Sequence, residues 1–332
     1  MGPQTLFMKI LIKRIGFLIS VIVFLSMTIM GCDRNNNENP ESIYNDFITE
    51  NVIIVVIDGP RYSESWGDST YANIPRTKND LSPIGVINAS FYNNGVTYTN
   101  NGHSALTTGN YQEIDNTGLE TPYFPSLFQY WRHAKSASKN KSWVITSKDK
   151  LHVLSNCIYP GWNGKHSPAI NCGIGEDGSG GYRHDSITYN RTMDILSSHH
   201  PNLTLINFRE PDYSGHKNDW AGYIQGIKDT DEYIYKIWSF IENDPIYSGK
   251  TTLIVTNDHG RHLDGVENGF ISHGCDCLGC RKINFLAIGP DFKENVVFDN
   301  PREITDISAT VAHLLNFQMP TSNGSIMHEL FK

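Results

Sequence analysis

Positive charge is scarce in this sequence: 27 lysines and arginines face 35 aspartates and glutamates, a net charge of −8. Three of the basic residues, Lys9, Lys13 and Arg14, fall in the first 31 residues, which hold no acid. The remainder therefore carries 24 basic against 35 acidic side chains, near −11. An acidic body excludes a nucleic-acid polymer as partner, since that needs a basic face. It leaves room for a small phosphorylated substrate, which responds only to the local field. Long apolar runs are also lacking. The longest, IGFLISVIVFLSMTIM at residues 15–30, falls short of the roughly 20 residues a spanning helix needs. No internal repeat and no second domain boundary are visible, so 332 residues are read as one large α/β domain behind a leader.

That leader has its own pattern. Three positive charges precede the apolar run, which ends at Gly31-Cys32 before the composition flips to DRNNNENPES. A small residue before the first cysteine and a polar tail after it resemble a bacterial lipoprotein signal. Residues 1–31 are then a signal peptide, Cys32 is the lipidation site, 32–47 a flexible tether and 48–332 the folded domain. Met8 is a second candidate start. An ordinary secretory signal or a retained anchor is the competing reading. The expectation is an exported lipoprotein, membrane-anchored through its N-terminal lipid and facing the periplasm or cell exterior.

Cysteine is sparse too: five remain after Cys32. In an oxidising compartment disulfides are expected. Cys157 and Cys172 could close one short loop. CDCLGC, with Cys275, Cys277 and Cys280, could hold a second bridge and leave one thiol over, or could form a structural metal knot.

What is present is a rhythm of strands and helices. NVIIVVIDG at 51–59 reads as a fully buried parallel strand. SWVITS (142–147), LTLINF (203–208), TTLIVT (251–256) and INFLAIG (283–289) repeat the theme. Between them Trp220, Ile224, Ile227, Ile234, Trp238 and Ile241 line one helical face, which Pro245 ends. Ile307, Val311, Leu314 and Leu315 mark another helix, capped by Thr305 or Asp306. Alternation of this kind predicts an α/β fold: a doubly wound, mostly parallel central sheet with helices on both faces. The stretch 157–184, rich in Gly, Asn and Cys, reads as a surface insertion.

The strand ends carry the chemistry. LIVTNDHGRH closes a strand on Asp258 and His259. NVIIVVID closes another on Asp58. REPDYSGH follows a third with Asp212 and His216 four apart, a spacing that brings both to one ion. His273 lies in SHG, just before INFLAIG. Each alone is a turn aspartate or a surface histidine. Together, three aspartates and three histidines at the carboxyl ends of strands supply enough ligands for two divalent metal ions. VTYTNNGHSALTTGN then offers a nucleophile. Asn-Asn-Gly is read as a turn and HSALTTG as a helix start, which puts Thr99 at or just before a helix N-terminus, where an anionic substrate is favoured. A threonine hydroxyl attacks only when a metal takes its oxygen; without one, Thr99 is merely a cap.

These motifs resemble the alkaline phosphatase superfamily, particularly its nucleotide pyrophosphatase/phosphodiesterase and phosphate-irrepressible phosphatase branches. They are VIDG, T-x-x-x-H-x-x-x-x-T-G (Thr99, His103, Thr108, Gly109), EPDYSGH, TNDHG and SHG, and they span 51–332. The resemblance implies an alkaline phosphatase-like fold and two zinc ions. Asp58, Asp258 and His259 would hold one, with Thr99 touching it; Asp212, His216 and His273 would hold the other. His262 competes with His273 as ligand, and His273 is preferred because it precedes Gly274 and INFLAIG. Asn116, in QEIDN, resembles the family asparagine that binds a phosphoryl oxygen. Lys148 and Lys150 resemble a lysine–aspartate–arginine segment, and on an extended segment both would share a face. Arg261 and His262 are placed at the mouth.

The implied activity is metal-dependent phosphomonoester hydrolysis through a phosphothreonine. The alternatives are a phosphodiesterase or nucleotide pyrophosphatase, a sulfatase-like hydrolase, a transferase or mutase, and a non-catalytic metal- or phosphate-binding lipoprotein. Sulfatases need Cys or Ser in a C/S-x-P-x-R setting, which TNNGHS lacks.

Overall fold

A computed structural model describes residues 46–332. The signal peptide, Cys32 and the tether up to residue 45 lie outside the described residues. Among the described residues the strands are β1 (Asn51–Asp58), β2 (Val86–Asn88), β3 (Phe91–Tyr92), β4 (Ser142–Thr146), β5 (Ala169–Cys172), β6 (Leu203–Pro211), β7 (Thr251–Asn257), β8 (Lys282–Ile283), β9 (Phe285–Ile288), β10 (Val296–Phe298) and β11 (Arg302–Glu303). The α-helices are α1 (Thr99–Thr108), α2 (Leu127–Lys135), α3 (Asp185–His199), α4 (Asp212–His216), α5 (Trp220–Asn243), α6 (Leu278–Arg281) and α7 (Asp306–Leu314).

One sheet organises the molecule, in the order β10-β2-β9-β7-β1-β6-β4-β5. β1 lies inside it, parallel to β6 and to β7, and is buried along its whole length. Its alternating side chains explain the layers. Val52, Ile54 and Val56 pack with Ala105 and Leu106 of α1, Leu127 and Phe128 of α2, and Ile307 and Val311 of α7. Ile53, Val55 and Ile57 pack with Leu196 of α3 and with Ile234, Ile237, Trp238 and Ile241 of α5. Each such side chain contributes roughly 1.5–3 kcal/mol when fully buried, so the apolar run that spells the strand also holds helices to both faces. The expected doubly wound, mostly parallel sheet is what forms; only β9 runs antiparallel to its neighbours β7 and β2.

Several local expectations need correction. The 157–184 stretch is more than a surface insertion, because its Ala169–Cys172 segment adds the edge strand β5 beside β4. INFLAIG is not one strand. Asn284 interrupts it by donating its backbone N–H to Asn257 Oδ1 (2.7 Å) and accepting from Thr256 Oγ1 (2.8 Å). β8 therefore turns away into a small sheet, β11-β3-β8. Trp220 is 44% exposed rather than core, while the rest of its stripe is buried or partly so. Cys157 and Cys172 are free buried thiols; Cys172 Sγ donates to the Val144 carbonyl.

Candidate metal centre

β7, β1 and β6 lie side by side, so their carboxyl ends deliver Asp258, Asp58 and, at the start of α4, Asp212 to one place. Gly59 turns the chain after β1 with φ +64°, a left-handed conformation that glycine adopts without strain. α4 is a single turn, which sets His216 beside Asp212.

Thr99 is the first residue of α1, after Tyr98 at the cap position. The helix thus starts earlier than HSALTTG suggested, and Asn-Asn-Gly is inside it rather than in a turn. Gly102 is there for closeness: a Cβ would lie 2.5 Å from the Asp258 carbonyl oxygen. Only a bare backbone lets the nucleophile helix lie against the end of β7.

Two donor sets result. In the first, Asp212 Oδ1 is 3.3 Å from both His216 Nε2 and His273 Nε2, and those ring nitrogens are 3.1 Å apart. His273 Nδ1 lies 2.7 Å from the Thr97 carbonyl and donates to it, which leaves the Nε2 lone pair facing Asp212 and His216. In the second, His259 Nε2 is 3.3 Å from Asp258 Oδ2 and 3.6 Å from Asp58 Oδ1. His259 Nδ1 faces the Gly260 carbonyl at 2.8 Å, which fixes the same tautomer. The sets adjoin, since ligand atoms of Asp58, Asp212 and His259 lie within 4.8 Å of one another. Among the described residues His259 Nε2 is buried without a hydrogen-bond partner, and Asp258 Oδ2 has, apart from that nitrogen, only the His103 ring nitrogen beside it, at 3.2 Å and outside good hydrogen-bond geometry. Leaving such atoms unpaired costs about 1–3 kcal/mol each, and a divalent ion is the partner that suits both. The residues therefore fit a metal pair.

The charges agree with that fit. Burial lifts the Asp58 carboxyl to about 6, with Asp258 adding to it and Lys148 opposing. Asp212 is buried too, yet Lys148 and Arg261 hold it well below the usual range. Asp258, against its burial, is held low by His259 and His103. Burial drops His216 to about 4 and lowers His259 strongly, so both rings are neutral at neutral pH, as metal ligands must be.

Lys148 is buried between the sets. Its Nζ lies 2.6 Å from Asp212 Oδ2, 2.8 Å from Asp58 Oδ1 and 3.1 Å from Thr99 Oγ1. Its carboxylate neighbours outweigh burial and keep it protonated. Lys150 reaches Asn116, 3.0 Å from the side-chain Oδ1, and that same oxygen accepts from the backbone N–H of Asn100 at 3.0 Å. The two lysines come together by a different route than expected, since 149–155 is a 3-10 helix and not an extended segment. Burial, with the charge of Lys148, lowers Lys150 to about 8.

Arg261 and His262 are not at the mouth. Arg261 is wholly buried, donating to Asp212 and to the carbonyls of Phe270 and Ile271. His262 turns away from the aspartates toward three cysteines, so it does not compete with His273. Two further residues support the site: Asn207, which the sequence reading does not single out, and His103, which it names in the motif without a role. Asn207 Nδ2 donates to Asp58 Oδ2 at 3.1 Å and sits 3.2 Å from His103 Nε2. His103 Nδ1 lies 2.9 Å from the Thr99 carbonyl and 3.2 Å from Asp258 Oδ2. A buried asparagine inside the apolar run LTLINF was the available signal for the first; the T-x-x-x-H spacing was the signal for the second.

Comparison with known proteins bears on the fold. Residues 183–319 match the family model of the Metalloenzyme superfamily. The chain is similar to the phosphonate monoester hydrolase of Silicibacter pomeroyi, with 12% identity over 84% of this chain and 76% of that one and a TM-score of 0.59. It is similar to murine ectonucleotide pyrophosphatase/phosphodiesterase 5, with 18% identity over 85% and 100% and a TM-score of 0.56. It is also similar to a protein solved with its substrate D-glucosamine-2-N,6-O-disulfate, with 13% identity over 84% and 79% and a TM-score of 0.62. The chain has the alkaline phosphatase-like fold that its motifs implied.

Proposed function

We propose that this protein is a metal-dependent phosphoric ester hydrolase, a phosphomonoesterase that works through a phosphothreonine at Thr99. One observation carries the reading: the Thr99 hydroxyl stands at a helix N-terminus, 3.1 Å from the Lys148 ammonium, beside two adjoining metal-ligand sets. Asp58, Asp258 and His259, with Thr99, would hold one ion; Asp212, His216 and His273 would hold the other. A donor set of imidazoles and carboxylates suits Zn2+. Two such ions, when bound, lower the pKa of the hydroxyl and of water and stabilise the leaving oxygen.

The chain's own groups do the rest. Thr99 Oγ attacks phosphorus, the ester P–O bond breaks, and the alcohol leaves with a proton. Water then attacks the phosphothreonine, frees phosphate and restores the threonine. The N-terminal amides of α1, the Asn116 NH2 and the two lysines orient and neutralise the phosphoryl oxygens. His103 and Asn207 hold Asp258 and Asp58 in place. The same reading makes the chain an exported lipoprotein anchored at Cys32, with small external phosphate esters as substrates. The test is a panel of monoesters, diesters and sulfate esters, with and without chelator, for the parent and Thr99→Ala. Monoesters should be preferred, and both chelation and the substitution should abolish turnover. Preference for diesters would install the phosphodiesterase alternative, and activity indifferent to chelator would sink the metal mechanism.

A further inference from the structure

We propose that His262, Cys275, Cys277 and Cys280 form a third metal site, a closed zinc centre of one imidazole and three thiolates that clamps the loop carrying His273. It stands apart from the hydrolytic chemistry and does not depend on it.

Four donor atoms converge there. His262 Nδ1 lies 2.9 Å from Cys275 Sγ, 3.3 Å from Cys280 Sγ and 4.0 Å from Cys277 Sγ. Cys275 Sγ and Cys280 Sγ are 3.7 Å apart. A tetrahedral zinc with ordinary bond lengths would separate its sulfurs by about 3.8 Å and nitrogen from sulfur by about 3.5 Å. The observed spacings cluster around those values, and all four atoms fall within 4.8 Å of one another. His262 and Cys280 are buried, and Cys275 and Cys277 are partly so. The Cys277 backbone N–H points at Cys275 Sγ from 3.3 Å, a contact that favours a thiolate over a thiol. Three sulfurs and an imidazole fill a tetrahedral shell and leave no open position, the mark of a structural rather than a catalytic zinc.

A disulfide accounts for less. Any pairing among three cysteines strands the third, and it gives the buried His262 ring no role. A metal uses all four groups, and soft thiolates select zinc over the hard cations that carboxylates take.

The position explains the purpose. His262 lies three residues after His259, and Cys275 two residues after His273. An ion held by both closes the loop between them at its base. Backbone bonds support the same closure: His262 N–H to the Ser272 carbonyl (3.1 Å) and Gly260 N–H to the Cys280 carbonyl (2.8 Å). Thr97 Oγ1 donates to the Cys275 carbonyl at 2.8 Å, and the Thr97 carbonyl receives His273 Nδ1. The clamp thus fixes one histidine of the first donor set, and the partner that orients it, against loop entropy.

The direct test is cobalt(II) replacement in the full chain, stripped of metal and refilled. A thiolate-to-cobalt charge-transfer band in the near ultraviolet should appear. It should persist in Asp58→Asn, which weakens only the proposed hydrolytic set. It should vanish in Cys277→Ser/Cys280→Ser. Metal analysis of the parent as isolated should find about one zinc per chain that a thiol-blocking mercurial releases, since it attacks thiolate ligands alone, whatever ions the aspartate–histidine sets hold. That release needs no variant and so decides the matter even if the double substitution fails to fold. Absence of the charge-transfer band, or a disulfide found by mass spectrometry among residues 275–280 of the isolated protein, would overturn the assignment.

Discussion

A phosphate monoester carries a charged oxygen that a diester lacks, and Lys148 donates to the nucleophile's own oxygen. On the function proposed above, the same ammonium also faces that charged oxygen and stabilises the monoester transition state more than the diester one. Lys148→Ala should lower monoester kcat/KM about a hundredfold, the size of loss for one aimed donor, and leave diester hydrolysis nearly unchanged. An equal fall in both would make Lys148 an organiser of Asp58 and Asp212 alone. Lys150 adds a pH signature. Burial and the charge of Lys148 bring it to about 8, so it is cationic below that pH and loses its charge above it. Monoester kcat/KM should therefore fall as pH rises through about 8. Lys150→Arg should remove that alkaline limb, because a guanidinium keeps its proton; a limb that persisted would have to come from another group.

At the scale of elements, α1 is placed by a missing side chain. Gly→Ala within a helix ordinarily stabilises by roughly 1 kcal/mol. At Gly102 the opposite sign is expected, since the new Cβ would meet the Asp258 backbone at 2.5 Å. Gly102→Ala should lower the unfolding midpoint and weaken metal binding together, with a cost on the order of 1–3 kcal/mol typical of overpacking. A stabilised variant would show that α1 can stand off from β7.

The same helix shows what could be read from letters alone. Asp58, Asp258, His259, Asp212 and His216 were legible because each follows an apolar run long enough to declare itself a strand. Thr99 was legible by motif, although Gly102 was mistaken for a turn: a glycine needed for contact spells the same as one needed for φ. The small sheet was illegible because β3, β8 and β11 have two residues each, too few to show a period. β5 hid in a Gly-rich stretch. Arg261 looked like a mouth residue, and its burial depends on pairing with Asp212, 49 residues away. His262 could not be joined to the cysteines until the fold brought 13 to 18 residues of separation to contact distance.

At the scale of the whole molecule, the proposal of an exported, lipid-anchored enzyme rests on the acidic balance and on Gly31-Cys32 of the sequence. Cys32→Ser should release the protein from the membrane fraction or block its processing; unchanged membrane association would favour a retained anchor. The fold itself serves one end, to stack three strand ends and a helix N-terminus around a threonine. Whether that threonine carries the phosphoryl group is settled most directly by stereochemistry. Hydrolysis, in isotopically labelled water, of a phosphorothioate monoester made chiral at phosphorus with oxygen isotopes should proceed with net retention, since attack by Thr99 and then by water are two in-line displacements, each inverting. Net inversion would mean that water attacks directly, and would contradict the phosphothreonine.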